Sequence, residues 1–395
     1  MSINRKVALS ILFSMFLLVG SALQAQEHSR VSITHQPYLQ GLTDSTVHII
    51  WTTNHPAISW VEIAPDDSTH FFHSERPKTF ASTYGFKNVG TVHQVQLTGL
   101  KPGTSYRYRV YSQEVLKHEG TNVLYGQTTA SDVYSKGAYK FKTSNPTTRT
   151  RFAVINDIHG RNEVMNNLLD QASLSKMDFV VFNGDMASSL LSEEQMYKDF
   201  MDTAIKRFAS EKPMYYSRGN HETRGPFATQ YPQYFPTPTG KLYYQFNRGD
   251  AAFIVLDCGE DKPDTDIEYS GIVDMDTYRA EQAKWLEQAI AVPSYKNAKY
   301  KVIICHMPPL GGWYGMEEMM KKFVPILNKS GAQVMLTGHL HKHIIEKANS
   351  KVLFPVIVNS NNNLVDVDLN EDKGTFKIID QQGKVVEQIS INPLR

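Results

Sequence analysis

The sequence predicts two domains in series, an all-β sandwich followed by an α/β domain of layered sheets and helices. The chain of 395 residues is longer than one hydrophobic core usually accommodates. Short alternating segments separated by turn residues fill residues 28–144, which is typical of a sandwich. Residues 150–395 instead alternate apolar segments with helical patterns, which is typical of an α/β domain.

The first residues have the pattern of a secretory signal. Arg5 and Lys6 precede an apolar run over residues 7–19, and small residues follow as far as Ala25. We therefore expect residues 1–25 to be a cleaved signal peptide, and the mature protein to lie in the periplasm or outside the cell. The alternative is an uncleaved anchor helix, but the run is shorter than the ~20 residues that a bilayer requires. No stable membrane anchor is expected.

The charge and cysteine counts exclude several classes of protein. Lys and Arg total 41 against 40 Asp and Glu, so no global positive field favours binding to a nucleic acid scaffold. The two cysteines, Cys258 and Cys305, are too few for a disulfide framework. Both end apolar segments, so free buried thiols are expected unless the two ends are adjacent and bridged.

The first domain is identified by its strands and turns. Residues 47–53 and 92–97 alternate in polarity, and a Gly/Pro turn at 99–103 leads into a strand that alternates Tyr and Arg. This turn-and-strand pattern resembles fibronectin type III modules. Pro37-Tyr38-Leu39-Gln40, taken with Trp51, resembles the N-terminal domain of purple acid phosphatases. Residues 145–148 are expected to form the linker.

The second domain alternates strands, helices and finally strands again. The predicted strands cover residues 152–155, 179–182, 253–256, 302–304 and 334–336. The predicted helices cover residues 163–173, 193–208, 277–290 and 315–327. A closing β region is predicted at residues 351–358, 364–369, 375–379 and 385–389.

Five short polar motifs stand at the ends of predicted strands. In chain order they are Asp157-Ile158-His159-Gly160, Gly184-Asp185, Gly219-Asn220-His221-Glu222, His306-Met307-Pro308-Pro309 and Gly338-His339-Leu340-His341. Ligands bind beyond the carboxyl ends of strands in layered α/β folds, so these groups are expected to converge. A converged set of carboxylates and imidazoles is costly without compensating charge, and these donors suit Zn, Fe or Mn.

Each motif taken alone has an ordinary structural explanation. Asp157 would be a helix cap, Gly184-Asp185 a tight turn, and His306 a hydrogen-bonded core histidine. The distribution of histidine argues against this for the set, because five of the six histidines after residue 150 fall in these motifs. The sequence therefore predicts a metal site.

The order of the motifs resembles the calcineurin-like metallophosphoesterase superfamily over nearly all the chain beyond residue 150. With the preceding sandwich, the layout is similar to purple acid phosphatases, and residues 274–287 resemble the helix those enzymes carry between the third and fourth motifs. The resemblance implies two central sheets flanked by helices in αββα layers. It also implies two divalent or trivalent metal ions, whose identity as Fe, Mn or Zn is open.

The resemblance further implies a role for each motif residue. One metal ion would be held by Asp157, His159 and His341. The other would be held by Asn220, His306 and His339. Asp185 would bridge the two ions. The catalytic candidates are His221, Asp185 and Arg224, with His221 contacting the phosphoryl group or protonating the leaving group and Glu222 orienting it.

Two positions depart from purple acid phosphatases, which generally have Gly in place of His159 and a metal-bound Tyr in place of Ser188. The implied activity is hydrolysis of a small phosphate monoester by a metal-bridging hydroxide. The alternatives are a phosphodiesterase acting on nucleotides or lipid headgroups, and a non-catalytic binding protein. The oligomeric state is not predicted.

Overall fold

The computed structural model describes residues 29–145 and 149–395. The predicted signal peptide, residues 1–25, lies outside the described residues. Within the described ranges, no helix combines the length and the apolar character that crossing a bilayer requires.

The N-terminal domain is an antiparallel β structure, as predicted. Its strands are β1 (Ile33–Gln40), β2 (Val47–Pro65), β3 (Lys78–Phe80), β4 (Ser82–Thr83), β5 (Phe86–Lys87), β6 (Gly90–Leu97), β7 (Ser105–Glu119), β8 (Asn122–Ala130) and β9 (Tyr139–Lys142). The first half of β2 pairs with β1 and β6, and its second half pairs with β3 and β7. At the core, the buried indole of Trp51 donates to Ser112 Oγ at 2.9 Å.

The second domain begins at residue 150 and contains two six-stranded sheets. The first sheet contains β10 (Thr150–Ile155), β11 (Phe179–Asn183), β12 (Met214–Ser217), β19 (Asn363–Leu369), β20 (Gly374–Asp380) and β21 (Val385–Ile391). The second contains β13 (Tyr244–Arg248), β14 (Ala251–Val255), β15 (Tyr300–Ile304), β16 (Val334–Thr337), β17 (Ile344–Glu346) and β18 (Val356–Val358). The strand orders are β12-β11-β10-β19-β20-β21 and β13-β14-β15-β16-β18-β17.

Helices cover the outer faces of both sheets. They are α1 (Asn162–Gln171), α2 (consecutive α and π segments over 193–209), α3 (Met275–Ala289), α4 (Pro293–Lys296), α5 (Tyr314–Lys322) and α6 (Val324–Ser330). The helix predicted over 315–327 is divided at Phe323, because Pro325 lacks an N–H and is accepted only in the first turn of a new helix.

The hydrophobic cores confirm the αββα layers. Phenylalanines such as Phe152, Phe179 and Phe253 pack between the two sheets. Leu168 of α1 packs on the outside of the first sheet, and Leu286 of α3 packs on the outside of the second. This arrangement leaves the strand ends of both sheets open at one edge, where the polar motifs lie.

The sandwich packs against the helical layer of the first sheet through buried tyrosine hydroxyls. Tyr38 Oη donates to the Tyr234 carbonyl at 2.9 Å, and Tyr108 Oη donates to the Ser210 carbonyl at 2.6 Å. Tyr38 also belongs to the same hydrophobic cluster as the α1 and α2 residues. The two domains therefore share one continuous core at this contact.

Both cysteines are buried and free, as expected. Cys258 follows β14 and Cys305 follows β15, and these two strands are parallel neighbours. Burial first, and then the neighbouring Cys305 thiol, raise the pKa of Cys258.

Candidate metal centre

The five motifs converge at one edge of the two sheets, as the sequence predicts. They follow β10, β11, β12, β15 and β16 directly or after one residue. Main-chain hydrogen bonds join neighbouring motifs: Asp157 N donates to Gly184 O at 2.9 Å, and Gly338 N donates to His306 O at 2.8 Å. The placement of the side chains is therefore fixed by the backbone.

The glycines of the second and third motifs permit this close approach. A Cβ on Gly184, whose φ is +83°, would lie 2.4 Å from His306 Nδ1. A Cβ on Gly219 would lie 2.1 Å from Asp185 Oδ1. Both distances are shorter than van der Waals contact, so neither position accepts a side chain without displacing a site residue.

Several site residues have a left-handed backbone that disfavours side chains. In the described part of the chain, eight non-glycine residues have positive φ, and five of them belong to the motifs. The five are Asp157, His159, Asp185, His339 and His341. Such strained conformations concentrate at functional sites, which supports a functional reading of this edge.

One group of donors surrounds Asp157. Its Oδ1 lies 3.1 Å from His341 Nε2, and His341 Nε2 lies 3.4 Å from His159 Nε2. The ligand atoms of these three residues all lie within 4.8 Å of one another, which is compatible with one metal ion. This is the set that the resemblance assigns to the first ion.

A second group of donors surrounds Asp185, next to the first. His306 Nε2 lies 3.0 Å from Asp185 Oδ2, and His339 completes a set whose ligand atoms also lie within 4.8 Å. Asn220 Oδ1 lies 3.0 Å from His339 Nδ1, which brings the fourth predicted ligand to the same place. Asp185 also forms a set with His159 and His221, so its carboxylate lies within 4.8 Å of a ligand atom of the first group as well.

Two buried polar atoms at the site contact charged groups without a well-formed hydrogen bond. His306 Nδ1 bonds to the Asn183 carbonyl at 2.7 Å, which leaves Nε2 directed at the carboxylates. That Nε2 and Asp157 Oδ1 are buried and 3.9 Å apart, and within the described structure neither forms a hydrogen bond of good geometry, although Asp185 and His341 lie 3.0 and 3.1 Å from them, respectively. Unpaired buried polar atoms are costly, and a cation between them would satisfy both. The donor set therefore fits metal ions.

The electrostatics of the site lead to the same conclusion. Burial alone would raise the pKa of Asp185, but the adjacent His306 lowers it below its usual range. Burial alone would lower the pKa of His306, but Asp185 and then Asp157 raise it well above its usual range. The two carboxylates thus require a positive charge at this position, and a metal ion supplies more of it than one imidazolium.

His221 stands beside both groups with one nitrogen free. Its Nδ1 lies 2.8 Å from the Ser188 carbonyl, a bond that requires the proton on Nδ1. Its Nε2 lies 3.9 Å from Asp185 Oδ2, and the backbone N–H of His221 donates to Asp185 Oδ1 at 3.0 Å. The main chain of Ser188 therefore orients the ring toward the space above the two groups.

Glu222 is expected to orient His221, but its carboxylate bonds main-chain N–H groups instead. Its buried carboxylate accepts four main-chain N–H groups, those of Asp185, Met186, Ala187 and Gly219, at 2.7–3.2 Å. Burial, and then the nearby Asp185, raise the pKa of Glu222. Glu222 thus joins the second motif to the third.

The guanidinium of Arg224 bonds carboxylates, and the sequence did not indicate this pairing. Its guanidinium donates to both oxygens of the buried Glu260 at 3.1 and 3.0 Å, and Asp261 lies 3.6 Å away. Contact with a phosphoryl group would require Arg224 to share these bonds, so its catalytic role stays a prediction.

Sequence reasoning missed two structural supports of the site. Buried asparagine amides form the first: Asn156 Nδ2 donates to Asp157 Oδ2 at 2.5 Å, and Asn359 Nδ2 donates to Asn156 Oδ1 at 2.7 Å. The second is Trp313, whose ring lies 5.3 Å from that of His339, whereas Tyr314 bonds Asp276. The only sequence signal for the first was an Asn directly before Asp157.

Both domains are similar to known protein families. Residues 150–343 match the calcineurin-like phosphoesterase model, and residues 34–143 match the purple acid phosphatase N-terminal domain. The two matches lie one after the other along the chain and correspond to the two domains described above.

Similar proteins include purple acid phosphatases 21 and 18 of Arabidopsis thaliana. The first is 24% identical over 280 residues, covering 66% of this chain and 54% of its own length. The second is 21% identical over 332 residues, covering 79% and 66%. This chain therefore spans between half and two thirds of the length of these relatives.

A purple acid phosphatase from yellow lupin (Lupinus luteus) seeds has a similar structure. The TM-score is 0.64 at 16% identity, and the match covers 90% of this chain and 74% of the lupin chain. At this identity the similarity establishes the shared two-domain fold.

Proposed function

We propose that this protein is a two-metal phosphatase that hydrolyses small phosphate monoesters. The observation that carries the proposal is the pair of donor groups, one of Asp157, His159 and His341 and one of Asp185, His306 and His339, which are linked because Asp185 also lies within 4.8 Å of His159. Asp157, His159 and His341 would hold one ion. Asn220, His306 and His339 would hold the other, and Asp185 would serve both.

The residues of the chain divide the remaining work. When bound, two metal ions supply Lewis-acid stabilisation of phosphoryl charge and lower the pKa of water. His221 Nδ1 donates a hydrogen bond to the Ser188 carbonyl, so Nε2 is the ring atom that can carry a second proton. From that atom His221 can bond a phosphoryl oxygen or protonate the departing alcohol oxygen.

The proposal is tested by hydrolysis of matched esters. Protein stripped with a chelator and reloaded with Fe, Mn or Zn should hydrolyse p-nitrophenyl phosphate and be much slower on bis(p-nitrophenyl) phosphate. A faster diester reaction would identify a phosphodiesterase instead. Absence of turnover with every metal, despite two bound ions, would indicate a non-catalytic binding protein.

Replacing His221 with Ala should slow turnover while leaving two metal ions bound. We expect kcat for p-nitrophenyl phosphate to fall by about 10²–10³-fold, the usual effect of removing an acid catalyst or one oxyanion donor. Metal content measured by mass spectrometry is the second readout. Because His221 also lies within 4.8 Å of His159 and Asp185, loss of an ion from the variant would show that His221 is a ligand.

We further propose that residues 1–25 direct export of the protein. The support is the basic start, the apolar run and the small residues ending at Ala25. Expression of the full chain in a bacterium, followed by fractionation and N-terminal sequencing, should give a mature protein starting after Ala25. An intact N-terminus in the cytoplasmic fraction would refute this.

A further inference from the structure

A cavity of about 650 Å³ lies beside the candidate metal centre. One wall is formed by residues that follow the third motif. The other wall is formed by residues that precede α3 or lie in its first turn. The lining includes the apolar residues Pro226, Ala228, Ile272, Val273 and Met275. Ile272 is 88% exposed, so the cavity presents apolar surface that the described fold leaves uncovered.

The cavity and the donor groups share one short turn. Thr223 and Arg224 line the cavity, and both bond back to the third motif: Thr223 Oγ1 donates to Asn220 O at 2.7 Å, and Arg224 N donates to His221 O at 3.2 Å. The turn that directly follows Asn220 and His221 therefore forms part of the cavity wall.

A second set of contacts reaches Arg224 from the segment that begins α5. Asp261, 3.6 Å from Arg224, accepts a hydrogen bond from Gly315 N at 3.0 Å. Gly315 follows Trp313, whose ring faces His339 at 5.3 Å. The segment that contains Trp313 thus contacts both His339 and Asp261, the neighbour of the cavity-lining Glu260.

The charges of the lining disfavour an anionic occupant. Both lining arginines are already paired, Arg218 with Asp257 at 2.9 Å and Arg224 with Glu260 at 3.0 Å. Glu268 and Asp274 add further carboxylates to the lining. An anion entering the cavity would meet apolar walls and excess negative charge, whereas a neutral apolar group would gain burial.

We propose that this cavity holds the leaving group of the ester, and that the preferred substrates are phosphate monoesters of uncharged apolar alcohols. The inference rests on the proposed phosphatase function. In the reaction, water adds to phosphorus, the ester P–O bond breaks, and the alcohol departs with a proton. The cavity receives the alcohol portion.

The first test fills the cavity. Val273 is half-buried in the lining, so Val273→Trp should fill part of the space without disturbing the core. We expect the ratio of kcat/KM for 2-naphthyl phosphate to that for acetyl phosphate to fall by about tenfold. The matched control is Val386→Trp on the exposed strand β21, which should keep the wild-type ratio.

The second test reverses the charge preference. Wild-type protein should hydrolyse phenyl phosphate about tenfold better than 4-carboxyphenyl phosphate, which differs by one anionic group on the ring. Val273→Lys should reduce that difference by raising kcat/KM for the carboxylated ester, a gain that misfolding cannot produce.

The outcomes separate this inference from the proposed function. Active wild type that treats the two phenyl esters alike, or a Val273→Trp variant with an unchanged ratio, would overturn the substrate preference alone. Failure of the metal-loaded wild type to hydrolyse any of the three phosphate esters or acetyl phosphate would overturn the phosphatase function and this inference together.

Discussion

Asp185→Asn should abolish most activity while the fold survives. Asn keeps the size of Asp185 and the oxygen that accepts the His221 N–H, but it removes the negative charge shared by the two donor groups. We expect kcat/KM to fall on the order of 10³-fold, corresponding to roughly 4 kcal/mol of lost charge stabilisation. Steady-state kinetics and metal analysis on the same preparation would measure both effects.

Asp372→Asn is the matched control, because this exposed aspartate lies in the turn between β19 and β20. It should retain wild-type kinetics and metal content. Circular dichroism of Asp185→Asn should overlay that of the wild type. An Asp185→Asn protein with normal turnover would refute the assignment of the metal ligands.

Glu222→Ala should destabilise the second domain more than any exposed substitution. Four buried N–H groups would lose their acceptor, and each loss costs desolvation that water in this buried place does not repay. We expect a fall of roughly 3–5 kcal/mol in the free energy of unfolding. Urea unfolding of the metal-free protein is the measurement, since bound metal would add its own stabilisation.

Glu317→Ala provides the comparison, because Glu317 is exposed on α5. Its effect should stay within about 0.5 kcal/mol. Glu222→Gln should fall between the two, because its single oxygen still accepts the Met186 and Ala187 N–H groups while its amide faces two donors. If Glu222→Ala and Glu317→Ala had equal stability, the carboxylate would not be the bond between the second and third motifs.

The local patterns of the sequence predicted the elements that bury apolar residues. Strands β11 and β15 are buried along their whole length and β10 at all but Arg151, and most of their residues are apolar. Because the motifs directly follow such strands, their convergence followed from the strand ends alone. Edge strand β13 was not predicted, since Tyr244–Arg248 mixes polar and apolar residues.

The partners of individual side chains were not predictable in the same way. Glu222 reaches back 35–37 residues to three of its donors, and Arg224 meets Glu260 36 residues later. Such pairs depend on how separate loops lie against one another, which no local periodicity encodes. The same limit applies to Trp313, whose contact with His339 no local pattern indicates.

The left-handed backbone at Asp157, His159, Asp185, His339 and His341 sets stability against activity in this chain. Each such conformation costs on the order of 1 kcal/mol, and glycine would adopt it freely. Laboratory selection for heat resistance alone should therefore favour glycine at His159 and His341, whose side chains accept no main-chain N–H among the residues that the structure describes, and the most stable variants would lack activity.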